Sequence, residues 1–231
     1  ETPSNAAWIE ANCADYDSDG KGDNSFAIIA SILNPQFLEW YGEGSTTFAL
    51  ELVGVTDFVN TASFEMNGLL GAPTAPGSAE FRVDELSYDQ NACEAFGHFP
   101  AATLASGVLT AGPLDKTIDT PFINPPGVIV AKHVKVQVTI AKETGGVSGT
   151  DGVLTALLPK AEALAFLAAV RADCTASPEA NPEPCAMIEA AADYIDMFFD
   201  IDTDNDGTND AAALCFRFTM AASQVIGYHV M

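Results

Sequence analysis

Residues Val128–Ala141 read VIVAKHVKVQVTIA. From Val134 onward apolar and polar residues alternate, with Val134, Val136, Val138 and Ile140 on one side and Lys135, Gln137 and Thr139 on the other. That two-residue period belongs to a strand with one buried face and one wet face. Such a strand needs neighbours, and the flanking sequence supplies them. Downstream, Gly152–Leu158 reads as a strand, and Pro159 opens a helix over Lys160–Asp173, since proline is tolerated at a first helical position. Ala186–Phe199 repeats a helical pattern, with Ile188, Ala191, Ala192, Ile195 and Phe199 on one stripe. Leu214–Met220 (LCFRFTM) alternates again and reads as a closing strand.

Upstream, Thr46–Val55 alternates in the same way, and shorter strands are expected at Ala62–Met66, Ala79–Val83 and Ala102–Leu109, within a region rich in Gly, Pro, Asn and Ser. Ser25–Trp40 spaces Phe26, Ile29, Ile32 and Leu33 as a helix does, with Asn24 or Ser25 as cap and a break at Pro35. The fold expected is mainly β with helices (α+β). It has an antiparallel β-sandwich-like core, an N-terminal helix and a C-terminal helical hairpin. No composition shift marks a linker, so residues 1–231 read as one domain.

Nine Lys and Arg stand against 32 Asp and Glu, a net charge of −23, while 48% of residues are hydrophobic and only 18% charged. So few basic residues argue against nucleic acid and anionic membranes as partners, and the apolar content argues against a disordered acidic tail. The apolar stretch Leu154–Val170 is broken by Pro159, Lys160 and Glu162, so no transmembrane helix is expected. The chain opens at Glu1 without an initiator Met and without a basic-then-apolar leader, which reads as a secreted chain after removal of a signal peptide.

The five cysteines are Cys13, Cys93, Cys174, Cys185 and Cys215, with no C-x-x-C pair and no adjacent His, so zinc is not indicated. Cys174 and Cys185 bracket the Pro-rich segment TASPEANPEP between two helical patterns. A disulfide closing that short loop is the first choice in an oxidising compartment. Cys13 and Cys215, each close to one of two acidic motifs, are the second choice.

Those motifs carry the chemistry. Asp15-Tyr-Asp17-Ser-Asp19-Gly20-Lys21-Gly-Asp23 and Asp202-Thr-Asp204-Asn-Asp206-Gly207-Thr208-Asn-Asp210 both spell D-x-D-x-D-G-x-x-D. Carboxylates at alternate positions around a glycine turn converge on one point, which suits Ca²⁺ with its six to eight oxygens at flexible angles. The expected ligands are Asp15, Asp17, Asp19 and Asp23 with the Lys21 carbonyl, and Asp202, Asp204, Asp206 and Asp210 with the Thr208 carbonyl. A solvated acidic turn would explain one such motif, because Asp, Asn and Gly favour turns for local reasons. Two copies with the same five fixed positions are harder to obtain that way.

The motifs resemble the calcium loops of thrombospondin type 3 repeats and dockerin modules, and more loosely the EF-hand. They depart from the EF-hand at the twelfth loop position, where Phe26 and Ala213 replace its acidic residue. The affinity expected is therefore that of extracellular modules, about 10⁻⁴ to 10⁻³ M, unless outside ligands such as Asp196 or Asp200 assist. More widely, Cys13–Asn24 followed by a helix, and Asp202–Phe218 ending in an F-x-F strand, resemble uncharacterised secreted or lipid-anchored surface proteins of myxobacteria and related deltaproteobacteria. The resemblance implies export and implies no activity.

No G-x-S-x-G or Walker signature accompanies His98, His133 or His229, so the residues do not point to an enzyme. Two functions compete. One is a calcium-binding structural protein of a bacterial cell surface, self-associating as a filament or surface layer. The alternative is a calcium-dependent carbohydrate- or surface-binding β-sandwich, with Trp8, Trp40 and Tyr41 as a stacking platform for a glycan.

Overall fold

A computed structural model describes residues 1–31, 34–35, 47–75, 78–84, 87–89, 94–95, 97–119, 128–144, 146–176, 195–204 and 206–229. The described chain is dominated by strands: β1 Thr47–Val53, β2 Thr61–Pro73, β3 Glu80–Asp84, β4 Tyr88–Asp89, β5 Glu94–Ala95, β6 Gly97–Ala105, β7 Val108–Asp119, β8 Val128–Glu143, β9 Gly146–Pro159, β10 Ala211–Met220 and β11 Gln224–His229. Two α-helices, α1 Ala6–Asn12 and α2 Lys160–Ala176, and short 3₁₀ segments at Ser25–Ile29 and Ile195–Phe198 complete it.

Nine strands hydrogen-bond into one sheet in the order β10-β9-β8-β7-β6-β2-β3-β11, with β1 added to β2, and β4 and β5 form a separate two-stranded ribbon. The mainly β expectation therefore holds in its coarse form. The nine-stranded sheet is mixed, because β11 runs parallel to β3 while its other pairs are antiparallel. From β6 to β10 the sheet is a meander of sequential neighbours.

The alternation in β8 behaves as its sequence implies. Val134, Val136, Val138 and Ile140 are buried, while Gln137 and Thr139 are exposed. The buried set joins Phe64, Met66, Phe99, Leu104, Leu109 and Ala156 in one cluster, with Leu50, Leu214, Phe218 and Met220 packed against it. A contiguous core thus runs from β1 to β10.

Beside it, β2 is shared by two half-sheets. Its first part pairs with β6, and its end, Gly71–Pro73, pairs with β3. Gly71 permits this close approach: a Cβ there would lie 2.1 Å from the Arg82 carbonyl oxygen.

Several expectations are corrected. Ala102–Leu109 is not one strand but the tip of the β6–β7 hairpin, because Ser106 (φ 53°) and Gly107 (φ 78°) form a two-residue turn. The opening loop contains α1, capped by Asn5, whose side chain accepts the Trp8 amide. The predicted helix Ser25–Trp40 begins as a 3₁₀ turn over Ser25–Ile29, followed by helical residues at 30–31 and 34–35, and its remainder lies outside the described residues. The second arm of the expected helical hairpin, Ala186–Phe199, lies mostly outside them as well; its described end, Ile195–Phe198, is 3₁₀ rather than α. α2 starts where Pro159 implied.

Candidate metal centre

Both acidic loops spring from the β10 end of the sheet. α1 ends at Cys13, and a disulfide joins Cys13 to Cys215 of β10, where the half-cystine is fully buried. The pairing ranked second from sequence is therefore present. Cys174 is also disulfide-bonded, while Cys185, its expected partner, and Cys93 lie outside the described residues.

The first loop is closed by the Asp23 amide donating to the Ala14 carbonyl at 2.9 Å. The second is closed by Ile201 and Ala211, which exchange two backbone hydrogen bonds of 3.1 Å, and the Asp210 amide donates to the Ile201 carbonyl at 2.9 Å. The Asp210 carbonyl in turn accepts the Lys160 amide at 2.7 Å, fixing the loop against the start of α2.

Inside the loops the same spacing gives the same bonds. Gly20 N–H donates to Asp15 Oδ2 (3.0 Å) and Gly207 N–H to Asp202 Oδ2 (2.8 Å). Asp19 N–H donates to Asp17 Oδ1 (3.0 Å), and Asp206 N–H to Asp204 Oδ1 (3.2 Å). Lys21 N–H donates to Asp19 Oδ1 and Thr208 N–H to Asp206 Oδ1, both at 2.8 Å. These are the local Asx bonds that fold an Asp-rich turn. Gly20 and Gly207 sit at φ +89° and +88°, the left-handed region that glycine enters without steric cost.

The consequence is two carboxylate triads, Asp15–Asp17–Asp19 and Asp202–Asp204–Asp206, in each of which one oxygen per residue lies within 4.8 Å of the others. An ionised carboxylate has two oxygens and about four lone-pair sites, so accepting a backbone N–H leaves capacity for a cation. All-oxygen donors of this kind fit a hard divalent ion.

The remaining predicted ligands divide. Asp23 and Asp210 lie outside the two triads and brace the loops: Asp23 Oδ2 accepts the Tyr16 amide at 2.6 Å, and Asp210 takes both the amide and the hydroxyl of Thr203, at 3.0 and 2.7 Å. Lys21 and Thr208 are placed by the amide bonds already given. The two suggested outside ligands are engaged elsewhere. Asp196 pairs with Lys160 Nζ at 2.8 Å, and Asp200 accepts the Ser25 hydroxyl.

Burial pushes the Asp23 carboxyl up to about 6, reinforced by the charges of Asp17 and Asp15 and opposed by the Tyr16 and Asp17 amides.

Two residues that sequence reasoning passed over tie the loops together. Tyr16 packs on Leu157, Ile201, Ala211 and Ala213, so a side chain of the first loop rests on both roots of the second. Ser25 Oγ accepts the Ala213 amide at 2.7 Å while donating to Asp200. The aromatic at the second loop position, flanked by two Asp, was the available signal for Tyr16. Ser25 offered none beyond its place at a helix start.

The alternative sites are less developed. Trp8 lies under the Arg217 guanidinium, 5.7 Å from the ring centre, and Trp40 and Tyr41 lie outside the described residues. His98 Nδ1 is 2.9 Å from Asn67 Oδ1, with Nε2 3.9 Å from Glu94; His133 is exposed at a bulge with φ 52°. Among the described residues no helix is long and apolar enough to cross a membrane. Compared with known proteins, the chain matches no family model, no curated protein and no solved structure.

Proposed function

We propose that this is a calcium-binding structural protein of a bacterial exterior, self-associating into a filament or surface layer. The observation that carries the reading is the repetition: two loops far apart in sequence fold with matching hydrogen bonds and each gathers three carboxylates within 4.8 Å. In each site the triad supplies the charge. The Lys21 or Thr208 carbonyl and waters complete the shell, with Asp23 or Asp210 swinging in or bracing from outside. Bound calcium relieves the repulsion among the carboxylates and locks the loops to β10. The Cys13–Cys215 disulfide suits an oxidising compartment and export. A stacking platform for sugars lacks comparable support, since Trp8 is already covered by Arg217.

Thermal melts with and without calcium test the metal reading. At about 10 mM calcium and the affinity expected for such loops, two sites stabilise the fold by about 3–5 kcal/mol, raising Tm by about 6–20 °C. An unchanged Tm after chelation would remove the reading.

A further inference from the structure

At the level of Gly71 the sheet is four strands wide, in the order β1, β2, β3, β11. Gly71 pairs with Thr47 on one side and Val83 on the other, and Val83 pairs with Tyr228. β1 and β11 are thus the two margins of a narrow wing, and among the described residues neither has a strand on its outer side. The sheet's third margin, β10, is capped. Ile201 pairs with Ala211, Ser25 Oγ takes the Ala213 amide, and Glu1 exchanges two backbone bonds with Arg217.

Exposed margins in soluble proteins are commonly guarded by charged side chains or proline. Here they are not. β11 contains no Asp, Glu, Lys, Arg or Pro, and no charged residue of those types occurs anywhere from Phe218 to Met231, in a chain of net charge −23. β1 has one, Glu51, and its carboxylate accepts from Asn67 at 2.8 Å. Of the eight large apolar side chains that stand exposed among the described residues, four lie on these two strands: Phe48 (69%), Val53 (41%), Val225 (51%) and Ile226 (43%). Val225 is in register with Phe81, whereas Ile226 is the extra residue of a bulge before Gly227, so both side chains stand exposed at an irregular stretch of β11.

A sheet margin is satisfied by another extended segment. Two copies of so acidic a protein repel over most of their surface, and these sparsely charged apolar margins are where they meet with least repulsion. The directions also match: β1 and β3 are both antiparallel to β2, and β11 is parallel to β3, so β11 beside the next copy's β1 repeats the strand order. Because the two margins differ, such a contact is head-to-tail and propagates as an open chain unless its rotation closes a ring.

We propose that β11 of one copy adds to the outer side of β1 in a second copy, continuing the four-stranded wing as an intermolecular sheet. The proposal rests on the self-association reading and names its surface.

Two variants test it in the full chain: Val225→Lys with Ile226→Lys, which blocks the β11 margin, and Phe48→Lys with Val53→Lys, which blocks the β1 margin. Sedimentation velocity and electron microscopy are read with and without millimolar calcium, and calcium binding is measured on the same samples. Wild-type protein is expected to form open-ended oligomers, each variant alone to associate at least about tenfold more weakly, and an equimolar mixture to stop at dimers. Wild-type protein that assembles as well with β11 blocked overturns the proposal and leaves self-association standing. A β1-blocked variant that dimerises alone points to a β11–β11 contact and also overturns it. Wild-type protein that stays monomeric overturns both. Should a variant fail to fold, hydrogen exchange on wild-type oligomers decides: β1 and β11 amides gain protection on assembly, and unchanged exchange there refutes the contact.

Discussion

Replacing both Cys13 and Cys215 by Ala removes a cross-link spanning 202 residues of sequence. The chain-entropy relation for a loop of that length gives about 5 kcal/mol at 25 °C, most of it from the greater freedom of the unfolded chain. Cys174 is also disulfide-bonded and is left unchanged in both proteins. For a chain of 231 residues the loss corresponds to a fall in Tm of about 10–20 °C. Urea unfolding followed by circular dichroism is the assay, with both proteins in the same calcium concentration. Because the effect acts on the unfolded state, the midpoint should fall while the m value rises, the freed chain exposing more surface. The variant should also bind calcium less well at the first loop, since Asp15 lies two residues from the lost anchor, while the second loop keeps its Ile201–Ala211 closure. A stability loss below about 1 kcal/mol with an unchanged m value would refute the reasoning.

Other outcomes follow from single positions. Gly20→Ala and Gly207→Ala place a side chain at φ near +90° with no atom within 4 Å of the new Cβ, so each should cost about 1–2 kcal/mol through backbone strain alone, measured as a lower urea midpoint in chelator. Met66→Ala empties a fully buried position of the main core and should cost about 2–5 kcal/mol, whereas Met197→Ala, at an exposed site, should change stability by less than about 0.5 kcal/mol. Asp23 binds its proton more tightly folded (about 6) than unfolded (3.8), so in chelator its contribution is most favourable below pH 4 and is lost as pH rises to about 6. Asp23→Asn should flatten that slope and raise metal-free stability at neutral pH; melts across pH 4–8 that leave the slope unchanged would contradict the assignment.

Much of the fold was legible because one face of the sheet is wet. In β8 the alternation of Val with Lys, Gln and Thr is a direct record of that geometry, and Pro159 marks where strand gives way to helix. The β6–β7 hairpin was not seen because LASGVL continues the apolar alternation through the turn, although Ser-Gly was the clue. The parallel β11 could not be foreseen, since its neighbour β3 lies far back in the chain and local pattern carries no information about such pairing. Within the candidate site, spacing alone identified both triads. It gave no sign that Asp23 and Asp210 accept bonds from Tyr16 and Thr203 outside the triads, or that Asp196 and Asp200 meet Lys160 and Ser25. Tertiary partners of that kind do not show in a motif.

On the proposed reading each acidic loop holds one calcium ion. Calcium bound per chain, counted by equilibrium dialysis or calorimetry, tests it most directly when wild-type protein is compared with Asp17→Asn/Asp19→Asn and Asp204→Asn/Asp206→Asn. Two ions are expected for the wild type, one for either variant and none for their combination. Absence of binding by the folded wild-type protein at calcium concentrations of about 10 mM, well above the range expected for such loops, would contradict it.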